Sequence, residues 1–397
     1  MADLFSSVAW LLLLLSGLFG LGFLVIRLGP RQFPLRIFCA FYRTRRVVLW
    51  AALAGGAALF ITAGFPTGGW ILVGLQAVFL LVDVITDESR IFRAVENPEL
   101  EENAGRSTLD LSAPVVVLEV GEEARAYPMT YVAHHEVIND RILGKRVVVS
   151  FCNQCNVVLS YDATNLARQR GFSTASQYRG NLVMKDGDTH TIWQQVTGES
   201  LAGRLHPSTL PPLLSRMMPW SEARSQYPGV RLARTTAKER LPFSLRFFPW
   251  ERLQRSNYTL GLRRRDRRLP ARTPVLGVER IGGSLVYLKD EVAARRWVRN
   301  DEVHLLLVMV RGCANGFLTE VDGLARKLKA RGDRITDEET GSAWNLRGHG
   351  LAGPLKEHAL VVWPIHDQFW FAWADRHMLT AIVRVEAEAR GGSTTSS

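Results

Sequence analysis

Two stretches of the chain, DGDTHTIWQQVTGESLAGRL (Asp186–Leu205) and DEETGSAWNLRGHGLAGPL (Asp337–Leu355), echo one another with one deletion. Trp193 falls on Trp344, Gly198 on Gly348, and Leu201-Ala202-Gly203 on Leu351-Ala352-Gly353. Upstream, Asn139-Asp140 matches Asn300-Asp301, and the spacing from Asp140 to Cys152 equals that from Asp301 to Cys313. A chain that repeats in this way is built from two copies of one folding unit, each with its own apolar face to bury. Short β-branched runs separated by turn residues make each unit β-rich. The expected soluble region is therefore α+β, with a first repeat over 87–213, a connector over 214–273, a second repeat over 274–383 and a disordered tail over 384–397.

The first 86 residues differ in kind. Apolar segments at about 7–26, 47–65 and 69–85 each approach the ~20 residues that a helix needs to cross ~30 Å of hydrocarbon. They predict three transmembrane α-helices ahead of the repeats, placing the protein in a bacterial inner membrane. The first segment lacks the basic flank and cleavage site of a signal peptide. Between the first two segments lie Arg27, Arg31, Arg36, Arg43, Arg45 and Arg46 with no acid. Counting arginines puts that loop, and the soluble region after the third span, on the cytoplasmic side.

Residues 231–272 hold thirteen basic residues against three acidic ones, a large part of the net charge of +11. Within them Arg246, Phe247, Phe248 and Trp250 precede Arg263, Arg264 and Arg265. Aromatics interleaved with arginines suit the surface of a lipid bilayer with anionic head groups, or equally a solvated linker. On a membrane-anchored chain, lipid is the expected partner and nucleic acid is not.

The chemistry-bearing residues gather in AHHEVIND and VVVSFCNQCNVVLSYD. Two apolar runs flank Cys152 and Cys155, so the thiols belong at the turn of a hairpin. Two thiolates with the His135 imidazole suit Zn or Cu, with Glu136 orienting the imidazole or ligating weakly. His134 and His135 are read as strand neighbours facing opposite ways, so at most one ligates. Two other readings stay open: a thiol-disulfide enzyme acting on a membrane protein partner, and a non-catalytic interaction scaffold. Burial of both cysteines as small apolar side chains competes with all of these. In the aligned second copy Cys313 matches Cys152, while Gly316 replaces Cys155, Arg295 and Arg296 replace His134 and His135, and Trp297 replaces Glu136. His134, Asn139, Asp140, Asp186, Thr189 and Trp193 are candidates for lining a pocket, although the recurrence of Trp193 as Trp344 also fits core packing, and Asp140 reads as a turn former. No GxSxG, GxxxxGK[ST] or GxGxxG after a strand is present, which removes the commonest hydrolase and nucleotide-binding signatures.

The blocks GEEARAYPMTYVAHHEVINDRILGKRVVVSFCNQCNVVLSYD and RGNLVMKDGDTHTIWQQVTGESLAGRL resemble the family catalogued as domain of unknown function 3179, from about Ile91 to Val383. His135, Glu136, Asn139, Asp140, Cys152 and Cys155 fall on that family's His-Glu-x-x-Asn-Asp and Cys-x-x-Cys positions. Asn153-Gln154 stands where many relatives have Pro-Leu, and the N-terminal membrane region is an addition. Many relatives look exported, which implies a periplasmic alternative for the soluble region. The resemblance implies no established activity.

Overall fold

A computed structural model describes residues 35–63 and 87–385 except 102–106, 167–168, 241–261 and 263–264, together with residues 11, 71, 73–78, 80 and 81. Helix α1 (Leu35–Ala63) comes first, followed by α2 (Glu88–Ile91), where the Asp87 carboxylate caps the Ser89 N–H at 2.9 Å, and by β1 (Val95–Glu96). β2 (Pro114–Val120) and β3 (Glu123–Pro128) make a hairpin that enters helix α3 (Met129–His135). Meanders follow: β4 (Val137–Ile142), β5 (Lys145–Cys152) and β6 (Val157–Asp162), then β7 (Phe172–Tyr178), β8 (Asn181–Asp186), β9 (Ile192–Gln194) and β10 (Ser200–Ala202). Next, β11 (Pro212–Leu213) pairs with β6 and β12 (Ser215–Pro219) with β2; after helix α4 (Trp220–Gln226), β13 (Arg231–Leu232) pairs with β3. The strands form sheets ordered β1-β4-β5-β6-β11, β10-β9-β8-β7 and β12-β2-β3-β13.

The remaining chain runs the same course. β14 (Pro274–Arg280), β15 (Gly283–Leu288), α5 (Lys289–Arg295), β16 (Trp297–Asn300), β17 (Leu305–Val310) and β18 (Cys313–Leu318) follow in order. After a small hairpin of β19 (Glu320–Val321) and β20 (Leu324–Ala325) come β21 (Leu328–Arg331), β22 (Arg334–Asp337), β23 (Ala343–Asn345) and β24 (Gly350–Ala352). The half closes with β25 (Val362–Trp363), β26 (His366–Phe369), α6 (Trp370–Ala374) and β27 (Ala381–Val383). Its larger sheets are ordered β16-β17-β18-β25, β21-β22-β23-β24 and β26-β14-β15-β27.

Apolar residues explain the layering. β2 reads PVVVLEV and buries Val115 through Leu118 on both faces, as a strand covered on both sides must. Trp220 and Trp370 open the helices that close each half, and Trp193 and Trp344 sit on β9 and β23; all four are fully buried. The halves also grip one another. β12 packs on β18 and β26 on β6. Phe369 N–H donates to the Cys155 carbonyl at 3.0 Å, and Phe371 and Ala372 belong to the same core cluster as Cys152, Cys155 and Trp193.

The three predicted spans are not supported. Among the described residues no helix is long and apolar enough to cross a membrane. The segment 7–26 lies outside the described residues except Leu11, and of 69–85 the described residues are helical. Over 47–65 the observed helix α1 starts at Leu35, so Arg36, Arg43, Arg45 and Arg46, expected in a loop, belong to it. Its first turns face protein: Leu35 and Cys39 pack with Ala175, Tyr178, Val183 and Ile192, and Arg46 pairs with Asp87. The integral-membrane placement, with the cytoplasmic assignment counted from its loops, rested on those spans and falls with them. Arg246, Phe247, Phe248, Trp250, Arg263 and Arg264 lie outside the described residues, and Arg265 is exposed.

Candidate functional site

Cys152 ends β5 and pairs with Val157, which begins β6, leaving Asn153, Gln154, Cys155 and Asn156 as the turn. Asn156 adopts a left-handed backbone (φ 60°) and its N–H donates to the Cys152 carbonyl at 2.7 Å. The turn folds inward, and neither thiol has any solvent exposure. Cys155 N–H donates to Cys152 Sγ at 3.4 Å, and Asn181 Nδ2 donates to Cys155 Sγ at 3.2 Å. Asn181 also donates to Gln195 Oε1 at 2.7 Å and accepts the Val196 N–H at 3.0 Å, while Gln195 Nε2 donates to the Val157 carbonyl at 3.2 Å. Buried amides satisfied in this way fix a single arrangement of the turn.

Its electrostatics are asymmetric. Burial pushes the Cys152 thiol well up, and its hydrogen bond to Cys155 pushes it further. Burial also works against ionising Cys155, but the Cys152 hydrogen bond, the Arg376 guanidinium and the Asn181 amide outweigh it and hold that thiol below the ordinary cysteine range. Burial raises the Glu136 carboxyl well above the carboxylate range, with the neighbouring Cys152 thiol adding to the effect. The turn is thus polarised: its surroundings favour the protonated forms of Cys152 and Glu136 and ease ionisation of Cys155, which faces the half-buried Arg376 guanidinium. A second arginine, Arg272, donates from Nη1 to the Gln154 carbonyl at 3.3 Å and lies 5.5 Å from the ring centroids of Phe369 and Phe371.

This arrangement overturns the metal reading. Among the described residues no group of three or more His, Cys, Asp or Glu side chains could hold a metal ion, so the Zn or Cu site of Cys152, Cys155, His135 and Glu136 is not formed. The His pair ends helix α3 rather than lying in a strand, and His135 turns away from the thiols. Its Nδ1 lies 2.6 Å from the Arg93 carbonyl and its Nε2 2.9 Å from Glu239 Oε1, so both nitrogens are engaged. Glu136 closes the helix in a left-handed conformation (φ 56°), and its Oε1 accepts from Asn153 N–H at 3.2 Å and Nδ2 at 3.0 Å. The thiol-disulfide reading fails as well: all four cysteines are free and no pair lies within disulfide range.

Hairpin register also revises the alignment of the halves. Cys313 faces Val310 across β17 and β18, as Val157 faces Cys152, so Cys313 stands in the place of Val157. The second half replaces the four-residue Cys-x-x-Cys turn by Arg311-Gly312. At the helix end, left-handed Arg296 rather than Trp297 corresponds to Glu136.

The remaining candidates are dispersed. Asp186 accepts from Thr189 N–H at 2.6 Å, Thr191 N–H at 3.0 Å and Trp193 Nε1 at 3.1 Å, a closed knot that holds the turn after β8. Asn139 spans β4 and β7, donating to the Phe172 carbonyl at 2.9 Å and accepting its N–H at 2.7 Å. Asp140 is no turn former: it lies in β4, pairing with Arg125 and accepting the Tyr127 hydroxyl at 2.6 Å. His134 alone among these candidates lines the roomier space beside the Cys-x-x-Cys turn, a cleft of about 320 Å³. Met129, Phe151, Val158, Met217 and Phe369 supply its apolar wall, and His134, Asn153 and Asn156 its polar groups. Asn181, Gln195, Arg272 and Arg376 carry no motif at a fixed offset from the cysteines, so sequence spacing could not single them out.

A family model described as "Protein of unknown function (DUF3179)" matches residues 92–379. No curated protein and no solved structure matches the chain. That match covers well over half of the sequence, and on it the chain belongs to the DUF3179 family.

Proposed function

We propose that the protein binds a small, largely apolar molecule in the cleft beside the Cys-x-x-Cys turn. The observation that carries this reading is the make-up of the cleft: about 320 Å³, walled by Met129, Phe151, Val158, Met217 and Phe369, with His134, Asn153 and Asn156 as polar groups. Apolar concavities with a few fixed polar groups are where proteins hold small ligands. The floor is pre-organised, because Asn153 is tied to the Ala133 carbonyl at 2.8 Å as well as to Glu136. A preformed floor lowers the ordering cost of binding.

Val158 is half-buried on the cleft wall, and a larger side chain there fills the space. The neutral fluorophore 1-aminoanthracene should bind the full-length chain saturably at one equivalent, with a blue-shifted emission. Val158→Trp, checked for folding by circular dichroism, should lose that binding. Equal binding by wild type and Val158→Trp would remove the proposal.

A further inference from the structure

A second cavity, of about 60 Å³, adjoins the first, and Val158 and Met217 line both. Its far wall comes from the other half of the chain, including Asn315 on β18 and Asp367 on β26. Asn315 is 5% exposed and Asp367 9% exposed. Among the described residues, Asn315 Nδ2 and Asp367 Oδ1 have no hydrogen-bond partner. The other Asp367 oxygen is taken by Lys289 Nζ. Arg216, also on the wall, spends its Nη1 on the Leu346 carbonyl.

An orphaned buried donor and an orphaned buried acceptor are each costly, on the order of 1–3 kcal/mol, and native proteins leave few of them. Here the two residues that carry them line a single cavity at the interface of the halves. The space holds a few waters or one small planar group, water needing about 10–15 Å³ of such volume.

Resting on the cleft reading above, we infer that the ligand carries a primary carboxamide, or a group with the same adjacent acceptor and donor. Its apolar body lies in the larger cleft, and its amide passes Val158 and Met217 into the smaller one. Asn315 Nδ2 donates to the amide oxygen and an amide N–H donates to Asp367 Oδ1. An ester of the same shape offers no N–H, so it leaves the Asp367 oxygen buried and unsatisfied. The second half, which lacks the Cys-x-x-Cys turn, thus supplies the groups that select the ligand's head.

The test is displacement of 1-aminoanthracene from the full-length protein by 4-phenylbutyramide and by methyl 4-phenylbutyrate. The amide should displace at about tenfold lower concentration, the size expected when one buried hydrogen bond is made in place of an orphan. Asn315→Leu and, separately, Asn315→Ala should bring amide and ester within about threefold of each other, each referred to that variant's own affinity for 1-aminoanthracene. If the fluorophore binds wild type and not Val158→Trp, yet amide and ester displace alike, the head-group assignment is wrong and the cleft reading stands. If amide selectivity survives in both Asn315 variants, the assignment is also wrong. If the fluorophore does not bind wild type, both readings fall together.

Discussion

In Glu136→Gln the side chain keeps its shape and its acceptor oxygen, so Asn153 N–H and Nδ2 retain their partner while the ionisable proton is gone. In the folded protein this carboxyl titrates well above its ordinary 4.5, through burial first and the Cys152 thiol second. A group raised in this way contributes its full stability below the unfolded value, and that contribution is lost as pH climbs toward the folded value. Over this window wild type loses at most about 1.4 kcal/mol per pH unit, a loss the glutamine variant escapes. Variant minus wild-type unfolding free energy should therefore be flat below about pH 4 and rise above about pH 5 with a slope of up to about 1.4 kcal/mol per pH unit. Urea denaturation of the full-length chain followed by tryptophan fluorescence, repeated across that range, measures the difference directly. A difference between variant and wild type that stays the same at every pH would refute the reasoning, since it would mean that the carboxyl titrates in the fold as it does in the unfolded chain.

Asn181→Ala removes the donor to Cys155 Sγ and Gln195 Oε1 and the acceptor of the Val196 N–H. At about 1 kcal/mol or more per orphaned group, roughly 3 kcal/mol of stability should go, read as a lower urea midpoint at unchanged slope. Asp140→Ala leaves Arg125 with Glu123 alone, at 2.8 Å, and takes the acceptor from the Tyr127 hydroxyl in the buried space between β3 and β4; the expected loss, by the same denaturation assay, is roughly 2–4 kcal/mol, with Asp140→Asn milder. Gly277→Ala sets a methyl 2.2 Å from Cζ3 of the buried Trp373 ring. Such overpacking should cost about 1–3 kcal/mol or more and shift the tryptophan emission; unchanged emission and midpoint would show that the helix gives way freely.

Local pattern was readable and convergence was not. The β-branched runs around Cys152 and Cys155 announce a hairpin because strand propensity and the turn residues between them act over a few positions. The echo of Trp193 in Trp344 is visible because each is an aromatic anchor on a matching strand, β9 in the β10-β9-β8-β7 sheet and β23 in the β21-β22-β23-β24 sheet. The metal reading failed at a different level. It took nearness in sequence between His135 and Cys152 for nearness of side chains, whereas the helix end at Glu136 points His135 toward Glu239, more than a hundred positions away. The alignment placed Cys313 on Cys152 because it counted residues from Asp301, whereas strand pairing sets Asn300 against Leu305 as Asp140 is set against Val147, so the count starts one residue late and the second half is two residues shorter between β16 and β17. The partners of the thiols, Asn181 and Arg376, come from a later strand and from the other half, and nothing in a local window ties them to Cys155.

The reciprocal grip of the halves bears on the order in which this protein can be made. The core around Cys152, Cys155 and Trp193 includes Phe371 and Ala372, and the Cys155 carbonyl waits for the Phe369 N–H. On the ribosome the first half can pair its own strands as they emerge, but that core stays open until nearly the whole chain has been synthesised. A nascent chain stalled before residue 369 would carry the Cys-x-x-Cys turn with an uncovered apolar flank, making it a natural client for chaperones until translation ends.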